Sequence, residues 1–149
     1  MVKIAKKHIF FLDDEPMIHH AVKETLEEYN YQVSCFESPT NCLSRLRSEK
    51  CDLLITDLKM PEKDGIEVLV DVNQQAPEIP VLIITGYGDI PAAVKTMKTG
   101  AADIIEKPLS KKDFVRKIKS ILKEKILFTQ PESTYLSNIH CCFLLRPAF

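Results

Sequence analysis

The sequence predicts an α/β protein in which a parallel sheet is covered by helices on both faces. Three observations predict it. Short apolar runs alternate five times with longer amphipathic segments. Two of the runs, Leu53-Leu54-Ile55 and Val81-Leu82-Ile83-Ile84, lack polar alternation, as strands do when helices cover both faces of their sheet. The intervening segments repeat apolar residues at three- and four-residue spacing, the signature of helices with one buried face. Parallel neighbours need helical crossovers, and these are right-handed almost without exception.

The predicted strands are Ile9–Leu12, Val33–Phe36, Leu53–Thr56, Val81–Thr85 and Ile104–Ile105. Between the first two, Ile18, Ala21, Val22, Thr25, Leu26 and Tyr29 mark the inward face of a helix. The second helix opens with Ser38-Pro39, an N-cap followed by proline at the first helical position. The third carries Ile66, Leu69, Val70 and Asn73, after a hinge at Gly65. The fourth starts after Asp89 with Pro91 early, and is predicted to turn Ala93, Val94 and Met97 inward. The fifth starts at Ser110 with Asp113 three residues on, a pair resembling a capping box, and carries Phe114, Val115, Ile118, Ile121 and Leu122 on one face. The pattern dissolves after about residue 124. Residues 1–124 are therefore read as one domain, and residues 125–149 as an extension or linker stub with no effector domain.

Composition excludes several classes. The chain of 149 residues is 45% apolar and has only four glycines, which argues against disorder and collagen-like sequence. Twenty Lys+Arg against twenty-one Asp+Glu leave −1, so no net field draws the chain to nucleic acid or membrane. Lys3, Lys6 and Lys7 precede an apolar run, but four residues fall short of the ~7–15 of a signal-peptide core. No run approaches the ~18 apolar residues of a membrane span, so a cytoplasmic protein is expected. The five cysteines form no C-x-x-C pair, which argues against zinc and thioredoxin chemistry. Cys35, Cys42 and Cys51 are read as small buried hydrophobes. Cys141 and Cys142 fall in the unplaced tail.

In open parallel sheets, ligands bind beyond the carboxyl ends of the strands. At those ends lie Asp13-Asp14-Glu15, Asp57, Thr85-Gly86 and Lys107-Pro108. Clustered carboxylates repel one another unless a cation sits between them. Hard oxygen ligands on a rigid rim suit Mg²⁺. A carboxylate beside Mg²⁺ can attack phosphorus and form an acyl phosphate. The transferring oxygens then need positive charge and donors, which Mg²⁺, the Lys107 ammonium and the Thr85 hydroxyl could supply.

Phe11-Leu12-Asp13-Asp14-Glu15-Pro16, Asp57-Leu58-Lys59-Met60-Pro61 with Asp64-Gly65, Thr85-Gly86, and Glu106-Lys107-Pro108 occur in this order. Together these four stretches resemble the receiver domain of two-component response regulators. The segment from Ile84 to Pro91 with Ala92-Ala93-Val94 resembles the subgroup that precedes nitrogen-regulation and nitrogen-fixation type effectors. The resemblance covers roughly residues 7–123. It implies a flavodoxin-like, doubly wound five-stranded sheet of order 2-1-3-4-5. It implies that Asp57 is the phosphoacceptor, and that Asp14 and Asp57 ligate Mg²⁺, with Asp13 holding the metal directly or through water. The backbone carbonyl of Lys59 completes that implied set. Thr85 is implied to bond a phosphoryl oxygen, Lys107 to pair with the phosphoryl group, and the Lys107–Pro108 bond to be cis. The implied partner is a sensor histidine kinase. The implied output surface is the fourth helix, fifth strand and fifth helix, through which a homodimer is also expected. No membrane contact and no direct binding of nucleic acid by this chain are expected.

One position departs from the pattern. Ile104 stands where receivers usually carry Tyr or Phe, and a β-branched aliphatic has no ring to swing inward. Lys59 and Tyr87 flank the site, where bulky or cationic groups impede attacking water, so an acyl phosphate lasting at least minutes is expected. The chain is read as a switch more than an enzyme, catalysing only its own phosphorylation and slow dephosphorylation. Two alternatives stand beside this reading. A small Mg²⁺-dependent aspartyl-phosphate phosphatase would use Asp57 or Asp13 as nucleophile, though such sites usually carry D-x-D where this chain has Asp13-Asp14. A non-phosphorylated receiver-like interaction module is the other.

Other features have plainer readings. Gly86-x-Gly88-x-x-Pro91 lacks the third glycine of a dinucleotide fingerprint. His19 and His20 point about 100° apart on a helix and are expected to be exposed. Residues 107–125 hold eight basic and two acidic groups, read as a solvated or partner-facing surface.

Overall fold

A computed structural model describes residues 5–124 apart from Tyr87 and Leu109. Five strands form one parallel sheet: β1 (His8–Leu12), β2 (Gln32–Phe36), β3 (Leu53–Asp57), β4 (Val81–Thr85) and β5 (Asp103–Glu106). Their order is β2-β1-β3-β4-β5, as the resemblance implies. Helices α1 (Pro16–Glu28), α2 (Pro39–Leu46), α3 (Gly65–Gln75), α4 (Ile90–Thr99) and α5 (Lys111–Ile121) alternate with them. The expectations for residues 125–149, for Cys141 and Cys142, and for Tyr87 lie outside the described residues.

Two cores sandwich the sheet. Phe10, Leu12, Leu54, Val81 and Ile83 pack with α2 and α3 through Cys42, Leu43, Leu46, Val68, Leu69 and Val72. Ile9, Phe11, Leu53, Ile55, Leu82 and Ile84 pack with α1 and α5 through Val22, Leu26, Phe114, Val115 and Ile118. Every residue of β3 and β4 is buried, which explains their continuous apolar runs. Each fully buried Leu, Ile or Phe contributes about 1.5–3 kcal/mol of transfer free energy, so the two layers together fix the sheet's position.

Helix starts are set by side chains that accept otherwise orphaned backbone N–H groups. Ser38 caps α2 through Asn41 N, and Ser110 caps α5 through Asp113 N. Asp64 and Glu67 form a full capping box on α3, with bonds of 2.8 and 3.0 Å. Asp89 caps α4, which ends at Gly100 in the left-handed region with φ of 111°.

Several expected faces are corrected. On α4, Val94 and Met97 face solvent, Ala93 is half-buried, and Thr96 is the fully buried residue. Ile90, Val94 and Met97 share the outer face, so apolar periodicity alone selected the wrong side. On α3 the core takes Val68, Leu69 and Val72, whereas Val70 and Asn73 are exposed. On α1, Ala21 and Tyr29 are exposed, and Tyr29 is the C-cap. Cys42 and Cys51 are buried as expected, and burial pushes both thiols up, Cys51 to about 12. Cys35 is half-buried instead of buried.

Candidate functional site

The sheet register delivers the polar residues to one rim. Leu12 pairs with Thr56, so Asp13 and Asp57 each follow the last paired residue of adjacent parallel strands. Asp57 in turn pairs with Ile84, which puts Thr85 next along the same edge. Lys107 N donates to the Thr85 carbonyl at 2.9 Å, tying the β5 end to the β4 end. Asp13, Asp14, Asp57, Thr85 and Lys107 are therefore neighbours, although they are spread over most of the chain.

Oxygen atoms from Asp13, Asp14 and Asp57 lie within 4.8 Å of one another. Lys107 Nζ is 3.5 Å from Asp57 Oδ1. Burial pushes the Asp57 carboxyl above its ordinary value, while Lys107 and the Leu58 N–H, which donates at 3.0 Å, pull it back. Burial also pushes Asp13 up; the Glu15 N–H at 2.9 Å opposes this and the Asp57 charge reinforces it. Both buried acids thus resist ionisation, and one lysine does not restore either to its ordinary range. A cation among them would relieve that cost. The donor set is all carboxylate oxygen, which fits a hard divalent ion and not a soft one.

Around this cluster, Thr85 is 3% exposed, and its Oγ1 has no hydrogen-bond partner among the described residues. A buried unpaired hydroxyl costs about 1–3 kcal/mol, so it is a group in want of an acceptor. Lys59 lies in the β3–α3 loop, its side chain largely exposed and its Nζ 4.0 Å from Asp89 Oδ2. The loop is held close: a Cβ on Gly65 would meet the Asp57 carbonyl oxygen at 2.7 Å. Lys107–Pro108 is a cis peptide bond. Ile104 is half-buried and packs against the α2–α3 core.

Sequence reasoning missed three contacts. His19 is half-buried, not exposed: its Nε2 donates to the Asp13 carbonyl at 2.7 Å and its ring meets Phe11 edge-on. No residue pattern marks that contact. The α3 capping box is the second, and Asp64-x-x-Glu67 is its local sequence signal. The third contact joins Glu106 to the backbone of Gly88.

Comparison with known proteins gives a consistent result. Residues 9–119 match the family model described as the response regulator receiver domain. The chain is 34% identical over 115 residues to the response regulator protein TodT of Pseudomonas putida, covering 77% of this chain and 51% of that protein. It is 33% identical over 119 residues to the transcriptional regulatory protein FixJ of Bradyrhizobium diazoefficiens, covering 80% and 58%. A receiver-domain crystal structure from Clostridium thermocellum superposes with a TM-score of 0.75 at 31% identity, covering 78% of this chain and 94% of that one. This chain spans about half the length of these two curated relatives. With the sheet order, the rim of carboxylates and the matched span in agreement, the chain belongs to the response regulator receiver domain family.

Proposed function

We propose that this chain is a phosphoacceptor switch of a two-component pathway, taking a phosphoryl group onto Asp57 from the phosphohistidine of a sensor histidine kinase. The observation that carries the reading is the convergence of three carboxylates within 4.8 Å, with Lys107 Nζ 3.5 Å from Asp57, in a chain of this family. An Asp57 oxygen attacks phosphorus, the phosphorus–nitrogen bond breaks, and the imidazole leaves with the bonding pair. The product is an acyl phosphate on Asp57. Lys107 offsets the charge gathered on the phosphoryl oxygens. The unpartnered Thr85 hydroxyl gains an acceptor in that group, which biases the chain between two states.

Asp13, Asp14, Asp57 and the backbone carbonyl of Lys59 are the residues proposed to hold Mg²⁺. When bound, the ion supplies charge against carboxylate repulsion and against the transferring oxygens. The switch catalyses only its own phosphorylation and slow dephosphorylation. Residues 1–124 are assigned to the receiver unit and residues 125–149 to an extension or linker stub as part of this proposal. Output leaves through α4, β5 and α5, where Ile90, Val94 and Met97 are exposed and a second copy of the chain can dock. The setting is the cytoplasm. Among the described residues no helix is long and apolar enough to cross a membrane.

Incubation with acetyl phosphate and Mg²⁺, followed by intact-mass measurement, tests the reading. The native chain gains one phosphoryl group and Asp57→Asn gains none. Equal labelling of both moves the nucleophile elsewhere, and repeated turnover of small phosphomonoesters favours a phosphatase.

A further inference from the structure

Glu106 ends β5 and stands opposite Thr85 in the strand register. Its Oε2 accepts the backbone N–H of Gly88 at 2.6 Å. Gly88 has φ of +80°, a conformation glycine adopts freely and other residues do not. It immediately precedes Asp89, the N-cap of α4, whose carboxylate accepts from Ala92 N at 3.3 Å. One carboxylate on the edge strand thus ties Gly88, one residue before the N-cap of α4, to the end of β5. In this same arrangement the Thr85 hydroxyl has no partner among the described residues, so the loop is held with that hydroxyl disengaged.

We propose that Glu106 is a positioning residue for the switch: its carboxylate latches the β4–α4 loop at the Gly88 N–H while Thr85 is disengaged. This rests on the phosphoacceptor reading of Asp57. A bond made in only one of two states biases the equilibrium toward that state by its own free energy. A hydrogen bond to a charged group is strong, but this pair is exposed, which lowers its worth to about 1 kcal/mol, or about fivefold in population. Loss of the latch frees the loop to follow Thr85, so Asp57 is labelled faster.

The test compares initial rates of labelling by acetyl phosphate with Mg²⁺ in the native chain, Glu106→Ala and Glu106→Gln. Glu106→Ala is expected to label about fivefold faster. Glu106→Gln stays near the native rate, because its amide oxygen still accepts from Gly88. The Gly88 amide resonance is expected to move upfield in Glu106→Ala, and in the native chain upon phosphorylation. Equal acceleration in both variants overturns the latch, since loss of negative charge near an anionic donor then explains the rate. A native or slower rate in Glu106→Ala overturns it too. Should that variant fail to fold, the native Gly88 amide decides: a resonance unmoved by phosphorylation overturns the proposal. Absence of label on the native chain, by contrast, removes the phosphoacceptor reading and the latch with it.

Discussion

Replacing Asp13 with Asn should make the folded chain more stable at neutral pH, at the expense of its proposed metal site. The carboxylates of Asp13, Asp14 and Asp57 lie within 4.8 Å. Two unit charges at 4.8 Å repel by about 3.5 kcal/mol at the effective dielectric of a protein rim and about 0.9 kcal/mol in bulk water. Asp13 is 1% exposed but borders open solvent through Asp14, so about 1–3 kcal/mol is the relief expected. For a domain of this size that is about 3–10 °C in Tm. Asparagine keeps the Oδ1 acceptor that Glu15 N uses, so little else changes.

The pH dependence fixes the cause. The Asp13 and Asp57 carboxyls titrate above their ordinary value near 3.8, each mainly because it is buried. A raised folded-state value means that folding favours the protonated acid. Stability is fully present below the ordinary value and is lost as pH rises through the raised one. The advantage of Asp13→Asn should therefore vanish below about 3.8, open above it, and stay open at neutrality. Added Mg²⁺ should stabilise the native chain and narrow the gap. Thermal melts from acid to neutral pH measure this. A variant melting at or below the native chain at neutral pH, or one equally stabilised in acid, would refute the reasoning.

Three further substitutions test the packing and the loops. Gly65→Ala forces a Cβ to within 2.7 Å of the Asp57 carbonyl oxygen, so it should cost about 1–3 kcal/mol and also slow labelling of Asp57, read by denaturant melts and intact mass together. Leu69→Ala, at a fully buried position on the inner face of α3, should cost about 2–5 kcal/mol in guanidinium unfolding. Met97→Ser should change stability by less than about 0.5 kcal/mol, because its side chain faces solvent; a loss of core size would mean that α4 packs by its other face.

The parts of this protein that were legible in its sequence are those written in local patterns. Leu53–Ile55 and Val81–Ile84 announce doubly covered strands because both faces exclude water. Asp13, Asp57, Thr85 and Lys107 could be assembled in advance because every one follows or closes a strand, and a parallel sheet carries all such ends to one side. What was not legible depends on contact across the fold. The apolar residues of α4 recur at helical spacing, yet Thr96 is the one buried, so periodicity fixed the helix but not its face. His19 looked like one of two surface histidines until the Asp13 carbonyl came within 2.7 Å. Gly65 is marked by the sequence as a loop-to-helix junction, but its close approach to the Asp57 carbonyl has no local signal. Glu106 belonged to a recognisable Glu-Lys-Pro run, but its bond to Gly88 crosses between two strand ends and has no local signal.

The central claim is that one carboxylate, Asp57, receives the phosphoryl group within this pocket. Borohydride reduces an acyl phosphate to the alcohol, which turns the labelled aspartate into homoserine and marks it permanently. After treatment of the full chain with acetyl phosphate and Mg²⁺, peptide sequencing should find homoserine at position 57 and aspartate at positions 13 and 14. Homoserine at position 13 or 14, or unmodified aspartate at 57 in a chain that carries label, would contradict the account.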